Sequence, residues 1–217
     1  IAEHLLETSA ADIEFKAGRF TVKGTNHSIG LFDVARAAVE RRDLPPDLQG
    51  PLAAECDKTV AEASFPYGCQ VVEVEVDPET GAVKLVNYAA VDDVGRAINP
   101  LIIHGQVHGG IAQGVGQALM EHAHYDPESG QMLAGSFMDY AMPRASDLLP
   151  YTTELSEVPS TTHPLGIRPA GEGGTVPALA VVINAVVDAL WDLGVRHIEM
   201  PATPARVWQA IQDARSA

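Results

Sequence analysis

Two cysteines, Cys56 and Cys69, are all that this 217-residue chain contains, and neither belongs to a Cys-x-x-Cys pair. A disulfide framework and a zinc ribbon are unsupported, and an iron–sulfur cluster, which takes four thiolates, cannot be built from this chain alone. Basic residues are also few. Fourteen Lys and Arg stand against 29 Asp and Glu, a formal net charge of −15, and such a surface repels phosphate backbones and anionic lipid. Nucleic acid and membrane insertion are therefore not expected. Long apolar runs are missing too: the longest, at 178–190, is interrupted by Asn184 and Asp188, whereas a bilayer span takes about 20 residues. There is no initiator Met and no leader-like segment at Ile1, which points to a cytoplasmic chain and to a fragment of a longer one.

What is present is ordinary globular material, 46% apolar and 20% charged, enough for one large domain or two small ones. Residues 1–6 read as the end of a helix. Ile13, Phe15, Phe20 and Val22 alternate about Ala17-Gly18 as a hairpin, and Ser28 offers an N-cap for a helix with Leu31, Val34, Ala35, Ala38 and Val39 on one face. Residues 44–51, with three prolines and a glycine, form a loop, and a minor domain boundary is placed at 44–64. Val72, Val74 and Val76 then alternate with Glu73 and Glu75 as a strand, Asp77-Pro78-Glu79-Thr80-Gly81 turns the chain, and a second strand returns to Val94. Asn99 and Pro100 supply an N-cap and a first-turn proline for a helix to about Met120. A second turn lies within 125–132, residues 149–164 are irregular, and helices are expected at 176–193 and 204–213. Hairpins and helices without a repeating strand–helix–strand rhythm indicate an α+β fold.

Two segments carry candidate chemistry. The helix after Pro100 contains Gly105, Gly109, Gly110, Gly114 and Gly116, each costing about 1 kcal/mol relative to alanine. Close approach of a neighbouring helix or of a ligand offsets that cost, and Gln106 lies on the same segment with an amide that donates and accepts at once. The second segment, GIRPAGEGGT at 166–175, sets Glu172 among small residues just before an apolar helix. A ligand can come close to such a carboxylate, which in a dry cleft serves as a general base. His104 and His108 have the four-residue spacing of a metal-binding helix face, followed by His122 and His124, but no glutamate completes a His-Glu-x-x-His pattern. No metal ligand is assigned, and a zinc hydrolase is disfavoured. Gly114-Val115-Gly116 lies inside the predicted helix and lacks the third glycine of a dinucleotide fingerprint. A nucleophile elbow and a phosphate-binding lysine loop are absent.

Taken together, DPETG at 77–81, VDDVGRAINP at 91–100, GQVHGG at 105–110 and GEG at 171–173 resemble, in order and spacing, the molybdopterin-binding large subunit of xanthine oxidase family molybdenum hydroxylases, in its C-terminal part. That family includes xanthine dehydrogenases, aldehyde oxidoreductases and aerobic carbon monoxide dehydrogenases. The resemblance implies an α+β molybdopterin-binding domain of the aldehyde oxidoreductase and xanthine dehydrogenase type. It implies Gln106 as a cofactor contact and Glu172 as the base beside molybdenum. The implied reaction is hydroxylation by water of an aldehyde, an N-heterocycle or carbon monoxide: Glu172 takes a proton from the metal-bound hydroxyl, its oxygen attacks carbon, and hydride passes to a sulfido ligand. The implied cofactor is molybdopterin, in its cytosine dinucleotide form. The implied partners are the rest of the subunit and iron–sulfur and flavin (FAD) subunits, in an oligomer, and the isolated fragment is expected to be inactive. A non-catalytic assembly module is the alternative. Arg168-Pro169-Ala170 departs from the lysine and glycine more usual before the Gly-Glu pair, and GEGG resembles the bacterial carbon monoxide dehydrogenase-like branch.

Overall fold

Alternating apolar residues and one tight turn set the first sheet of the computed structural model, which describes residues 1–216. The chain divides into two units, Ile1–Thr59 and Val60–Ala217. In the first, α1 (Ala2–Leu6) precedes an antiparallel sheet of β1 (Ile13–Lys16), β2 (Arg19–Val22) and β3 (Ser28–Gly30), in the order β1-β2-β3. Phe15 pairs with Phe20 across the hairpin, their ring centroids 4.5 Å apart. Ala17 and Gly18 both take positive φ, the twist that a two-residue hairpin turn requires.

Ser28 does not cap the helix as the sequence suggests. It pairs with Thr21 in β3 and its hydroxyl accepts from Arg19 Nη2 at 2.8 Å, so α2 (Leu31–Glu40) starts after Gly30 instead. Only Val34 and Ala38 of the expected helix face are buried, while Leu31 and Val39 are exposed. A unit of this size has too little interior to cover a wide apolar stripe. The 44–51 loop contains one 3-10 turn, Pro46–Leu48.

The second unit is built on β4 (Tyr67–Val76) and β5 (Val83–Asp93), an antiparallel pair with a bulge at Glu73/Val74. Asp77 closes the turn between them, its carboxylate accepting from Glu79 N and Thr80 Oγ1, and Gly81 supplies the positive φ. β4 begins five residues before Val72, since Gln70 continues its buried face. A third strand, β6 (Thr152–Leu155), pairs parallel with β5 inside the segment expected to be irregular. Four residues with no apolar alternation leave no local signal; the strand exists because β5 offers an edge.

Asn99 accepts from Ile102 N and Pro100 occupies the first turn of α3 (Pro100–Leu119), as its sequence dictates. α4 (Thr175–Ala189) buries Ala178, Val182 and Val186, one stripe at four-residue spacing, and a 3-10 turn, Trp191–Leu193, takes the place of its expected last turn. α5 (Pro204–Ser216) buries Val207 and Ile211. α4 packs on β4 and on α3, and α3 also meets β6. Tyr88, Val107, Ile111, Val115, Val182, Val186, Val207 and Ile211 fill the interior. The α+β class holds.

Four of the five glycines of α3 divide into two sets, while Gly116 faces Pro143 and Glu121. A Cβ on Gly114 would lie 2.6 Å from Ala178 Cβ, and one on Gly110 would lie 2.9 Å from Thr175 N, so these two let α3 press against the start of α4. Gly105 and Gly109 are exposed, and a Cβ on either would meet nothing within 4 Å. Helix packing accounts for the first set and leaves the second unexplained by the fold. Accordingly, Gly114→Ala should lower stability by about 1–3 kcal/mol through overpacking, whereas Gly109→Ala should leave it equal or raise it by up to about 1 kcal/mol. Urea unfolding midpoints of the two variants check this, and equal losses would contradict the division.

Candidate functional site

The loop at 166–174 is fastened to the end of β5 before it reaches Glu172. Arg168 N donates to Val94 O at 2.7 Å and Arg96 N to Gly166 O at 2.9 Å, with a bridge between Gly95 and Ile167. Gly95 has positive φ, and a Cβ there would strike Gly166 O, so a side chain is excluded twice. Past this clamp, the carbonyl of Glu172 accepts from Thr175 N and Val176 N at 3.1 and 3.2 Å, which starts α4. Glu172 thus sits on a backbone fixed at both ends, between Gly171, with open space about it, and Gly173. Its side chain is exposed.

Glu172 lines a cavity of about 660 Å³. Ser64, Phe65, Pro66, Tyr67 and Gly68 form one wall, Pro169, Gly171, Gly173, Val176 and Pro177 the other, and Asp92 contributes from β5. Arg168 braces the rim: Nη1 donates to Phe65 O at 3.1 Å, the guanidinium lies 5.0 Å over the Tyr67 ring, and Nε stands 3.8 Å from Asp93 Oδ2. The residue that departs from the family pattern therefore shapes the opening.

Gln106 is exposed on α3 beside Gly105 and Gly109 and does not line this cavity. Val107, the next residue, touches Gly174 through its carbonyl, two positions after Glu172, and Gln113 further along α3 accepts from Thr175 Oγ1 at 3.4 Å. The two candidate residues occupy adjoining elements on either side of the α3–α4 seam.

Two supports escaped the sequence reading. Gln70, nearly buried in β4, donates from Nε2 to Gly174 O at 3.3 Å and Gly173 O at 3.5 Å, while its Oε1 accepts from Tyr88 Oη at 2.5 Å. The carbonyls behind Glu172 are thereby held from the sheet. Burial pushes the Tyr88 hydroxyl pKa up, with Tyr151 and Asp92 adding to the rise, so Tyr88 stays a donor. Asp92 is 3% exposed, and burial pushes its pKa above the ordinary carboxylate range. Both residues were legible: Gln70 shares the phase of Val72, and Asp92 that of Tyr88 and Ala90.

His104 Nδ1 and His108 Nε2 both reach Thr153 Oγ1, at 2.8 and 3.0 Å, joining α3 to β6. Among the described residues no group of three or more His, Cys, Asp or Glu is arranged to hold a metal ion, and no helix is long and apolar enough to cross a membrane.

Residues 1–149 match the family model described as molybdopterin cofactor-binding domain. The chain belongs to this molybdopterin-binding family. It is 33% identical over 214 residues to the carbon monoxide dehydrogenase large chain of Hydrogenophaga pseudoflava, covering 98% of this chain and 26% of that one. It is 34% identical over 218 residues to the 6-hydroxypseudooxynicotine dehydrogenase complex subunit gamma of Paenarthrobacter nicotinovorans, covering 100% and 27%. The solved quinoline 2-oxidoreductase of Pseudomonas putida 86 superposes with a TM-score of 0.83 at 35% identity, over 98% of this chain and 27% of that one. The chain thus spans about a quarter of the length of the relatives it matches. These molybdopterin-binding relatives are oxidoreductases of the carbon monoxide and xanthine dehydrogenase type.

Replacing Gln70 with leucine should strand the Tyr88 hydroxyl and free the two loop carbonyls. A cost of about 1–3 kcal/mol is expected, with faster hydrogen exchange at Thr175 and Val176. Unchanged exchange there would show that Gln70 does not hold the loop. Asp92 gives a pH signature. The folded chain binds this proton more tightly than the unfolded one, so stability is greatest below the unfolded value of about 3.9 and is lost as pH rises through the folded value. Asp92→Asn should flatten that decline in denaturant midpoints measured from acid to neutral pH.

Proposed function

We propose that this chain is the C-terminal portion of the molybdopterin-binding domain of a cytoplasmic molybdenum hydroxylase. It oxidises an aldehyde, an N-heterocycle or carbon monoxide with water as the oxygen source, with Glu172 as catalytic base and Gln106 as a cofactor contact. The carrying observation is a carboxylate on the wall of a cavity of about 660 Å³, on a backbone clamped at both ends and flanked by glycines.

The residues suit a large, flat, polar cofactor. Gly105 and Gly109 leave an edge of α3 without side chains and with open space above it, so a rigid ring can approach the helix, and the Gln106 amide can both donate to and accept from a pterin edge. When bound, the molybdenum cofactor supplies a Lewis-acidic centre and an electron sink. Glu172 takes up, at a carboxylate oxygen, the proton that the attacking oxygen must lose, a contribution of ~10²–10⁴ in rate. Phe65, Pro169, Val176 and Pro177 give the cavity an apolar lining that suits an apolar or planar substrate. The remaining contacts to the cofactor, in its cytosine dinucleotide form, come from the rest of the subunit, and electrons leave through iron–sulfur and flavin partners in an oligomeric complex.

In the complete, cofactor-loaded enzyme, Glu172→Gln should slow metal reduction by substrate ~10²-fold or more while molybdenum content stays near that of the wild type. Reduction within about threefold of wild type, on that same scale, would sink the base assignment. Gln106→Ala should lower molybdenum retention, since a buried pterin group loses a partner at a cost of about 1–3 kcal/mol. Unchanged metal content and turnover would make Gln106 a bystander.

A further inference from the structure

The Arg168 side chain reaches three segments at once. Nη1 donates to Phe65 O at 3.1 Å, Nε donates to Val158 O at 3.3 Å and stands 3.8 Å from Asp93 Oδ2, and the guanidinium lies over the Tyr67 ring. Asp93 is held in turn, its Oδ1 accepting from Gly95 N at 2.8 Å and from Val158 N at 3.1 Å. The Arg168 and Asp93 side chains are 13% and 12% exposed, so the pair is shielded, unlike a surface contact that solvent screens. Gly95 makes room for the arginine stem: a Cβ there would stand 3.1 Å from Arg168 Cγ. The main chain of Arg168 is fixed as well, through its N–H on Val94 O.

One wall of the cavity depends on this side chain. Tyr67 and Gly68 belong to β4 and pair with Asp93 and Asp92, but Ser64, Phe65 and Pro66 precede the strand. Among the described residues, the bond from Arg168 to Phe65 O is the one hydrogen bond that these three residues make. The Phe65 and Tyr67 side chains are exposed, so burial holds that wall little. The opposite wall begins at the residue after Arg168, Pro169, and runs to Gly173. One guanidinium therefore ties one wall to the other. A planar fork can bond a carbonyl and stack on a ring at the same time, which an ammonium on a flexible stem cannot do.

We propose that Arg168 is a positioning residue that sets the width of the cavity and thereby selects flat aromatic substrates by ring size. The proposal rests on the reading of this cavity as the place where substrate meets Glu172. A cavity of about 660 Å³ lies in the range that takes up drug-sized ligands, and carbon monoxide would leave most of it unfilled. Phe65, Pro66, Tyr67, Pro169, Val176 and Pro177 line it, and two rings with broad apolar faces suit the packing of a planar ring. Aromatic aldehydes and N-heterocycles are the members of the proposed substrate range that fit. Moving the Phe65 wall outward admits a larger ring and leaves the chemistry at Glu172 alone.

The test compares the complete, cofactor-loaded enzyme with its Arg168→Lys and Arg168→Met variants. The probes are benzaldehyde, 2-naphthaldehyde and 9-anthraldehyde, together with quinoline and phenanthridine. In both variants kcat/KM for the three-ring probes relative to the smaller ones should rise about tenfold, the scale on which apolar pockets discriminate. The change should fall on KM, with kcat nearly constant. Hydrogen exchange over residues 65–69 should quicken in both variants, while exchange at Val176 stays as in the wild type. If Arg168 only balances the charge of Asp93, lysine restores the wild-type ratio, and that outcome overturns the proposal. An unchanged ring-size ratio or unchanged exchange in Arg168→Met overturns it too. If Arg168→Met does not fold, Arg168→Lys still decides. A wild-type enzyme that reduces its metal with none of these probes overturns the selection of aromatic rings. A Glu172→Gln enzyme that reduces its metal at the wild-type rate removes the base assignment alone, because the ring-size ratio is read without reference to it.

Discussion

The backbone of α3 lies directly against the first residues of α4, with no side chain between them at Gly110, Gly114 or Gly174. The start of the helix behind the candidate site depends on this contact. It sets the start of α4, and the carbonyl of Glu172 supplies the first hydrogen bonds of that helix. It also leaves the opposite edge of α3, with Gln106 and two unfilled glycines, alongside the same junction. A methyl group inserted at the seam would separate the two elements that carry Glu172 and Gln106, the proposed base and cofactor contact, which lie 66 positions apart in sequence.

Polar groups complete what the glycines begin. The loop carrying Glu172 has few side chains, so its rigidity must come from backbone groups, and those are held by neighbours: Gln70 from the sheet, Val94 and Arg96 from the end of β5. Gln70 and Tyr88 form a short buried chain in which every bond has a partner, the condition under which buried polarity stiffens a core. Arg168, on the same loop, ties the far wall through Phe65 and Tyr67. The cavity is thus a joint product of strand, loop and helix.

Much of this was legible in advance. The Asn99-Pro100 start of α3, the turn at 77–81 and the alternating valines of β4 are local signals; helix and turn formed where those signals put them, and β4 runs through its valines but starts five residues earlier. The α3 glycines were readable as a group but not by role, because which of them meets a neighbour depends on other segments, α4 for Gly110 and Gly114 and Pro143 for Gly116. β6 left no trace, since a four-residue strand is selected by its partner edge. Ser28 misled because its hydroxyl had a competing use in the sheet. Glu172 and Gln106 were singled out from motif and resemblance; Gln70 and Asp92 were passed over, although strand phase alone places both facing inward.

The parallel pairing of β6 with β5 also orders events in time. About sixty residues separate the paired segments, including all of α3, and closing a loop of that length carries an entropic cost that local hairpins avoid. The β4–β5 hairpin can form from neighbours, whereas β6 must wait for α3, to which Thr153 is bound through His104 and His108. The third strand is therefore expected to join the sheet last and to leave it first. Its edge is the weak margin of the unit, where local opening would begin, and it lies alongside the inward row of Tyr88, Ala90 and Asp92 that leads to the cavity.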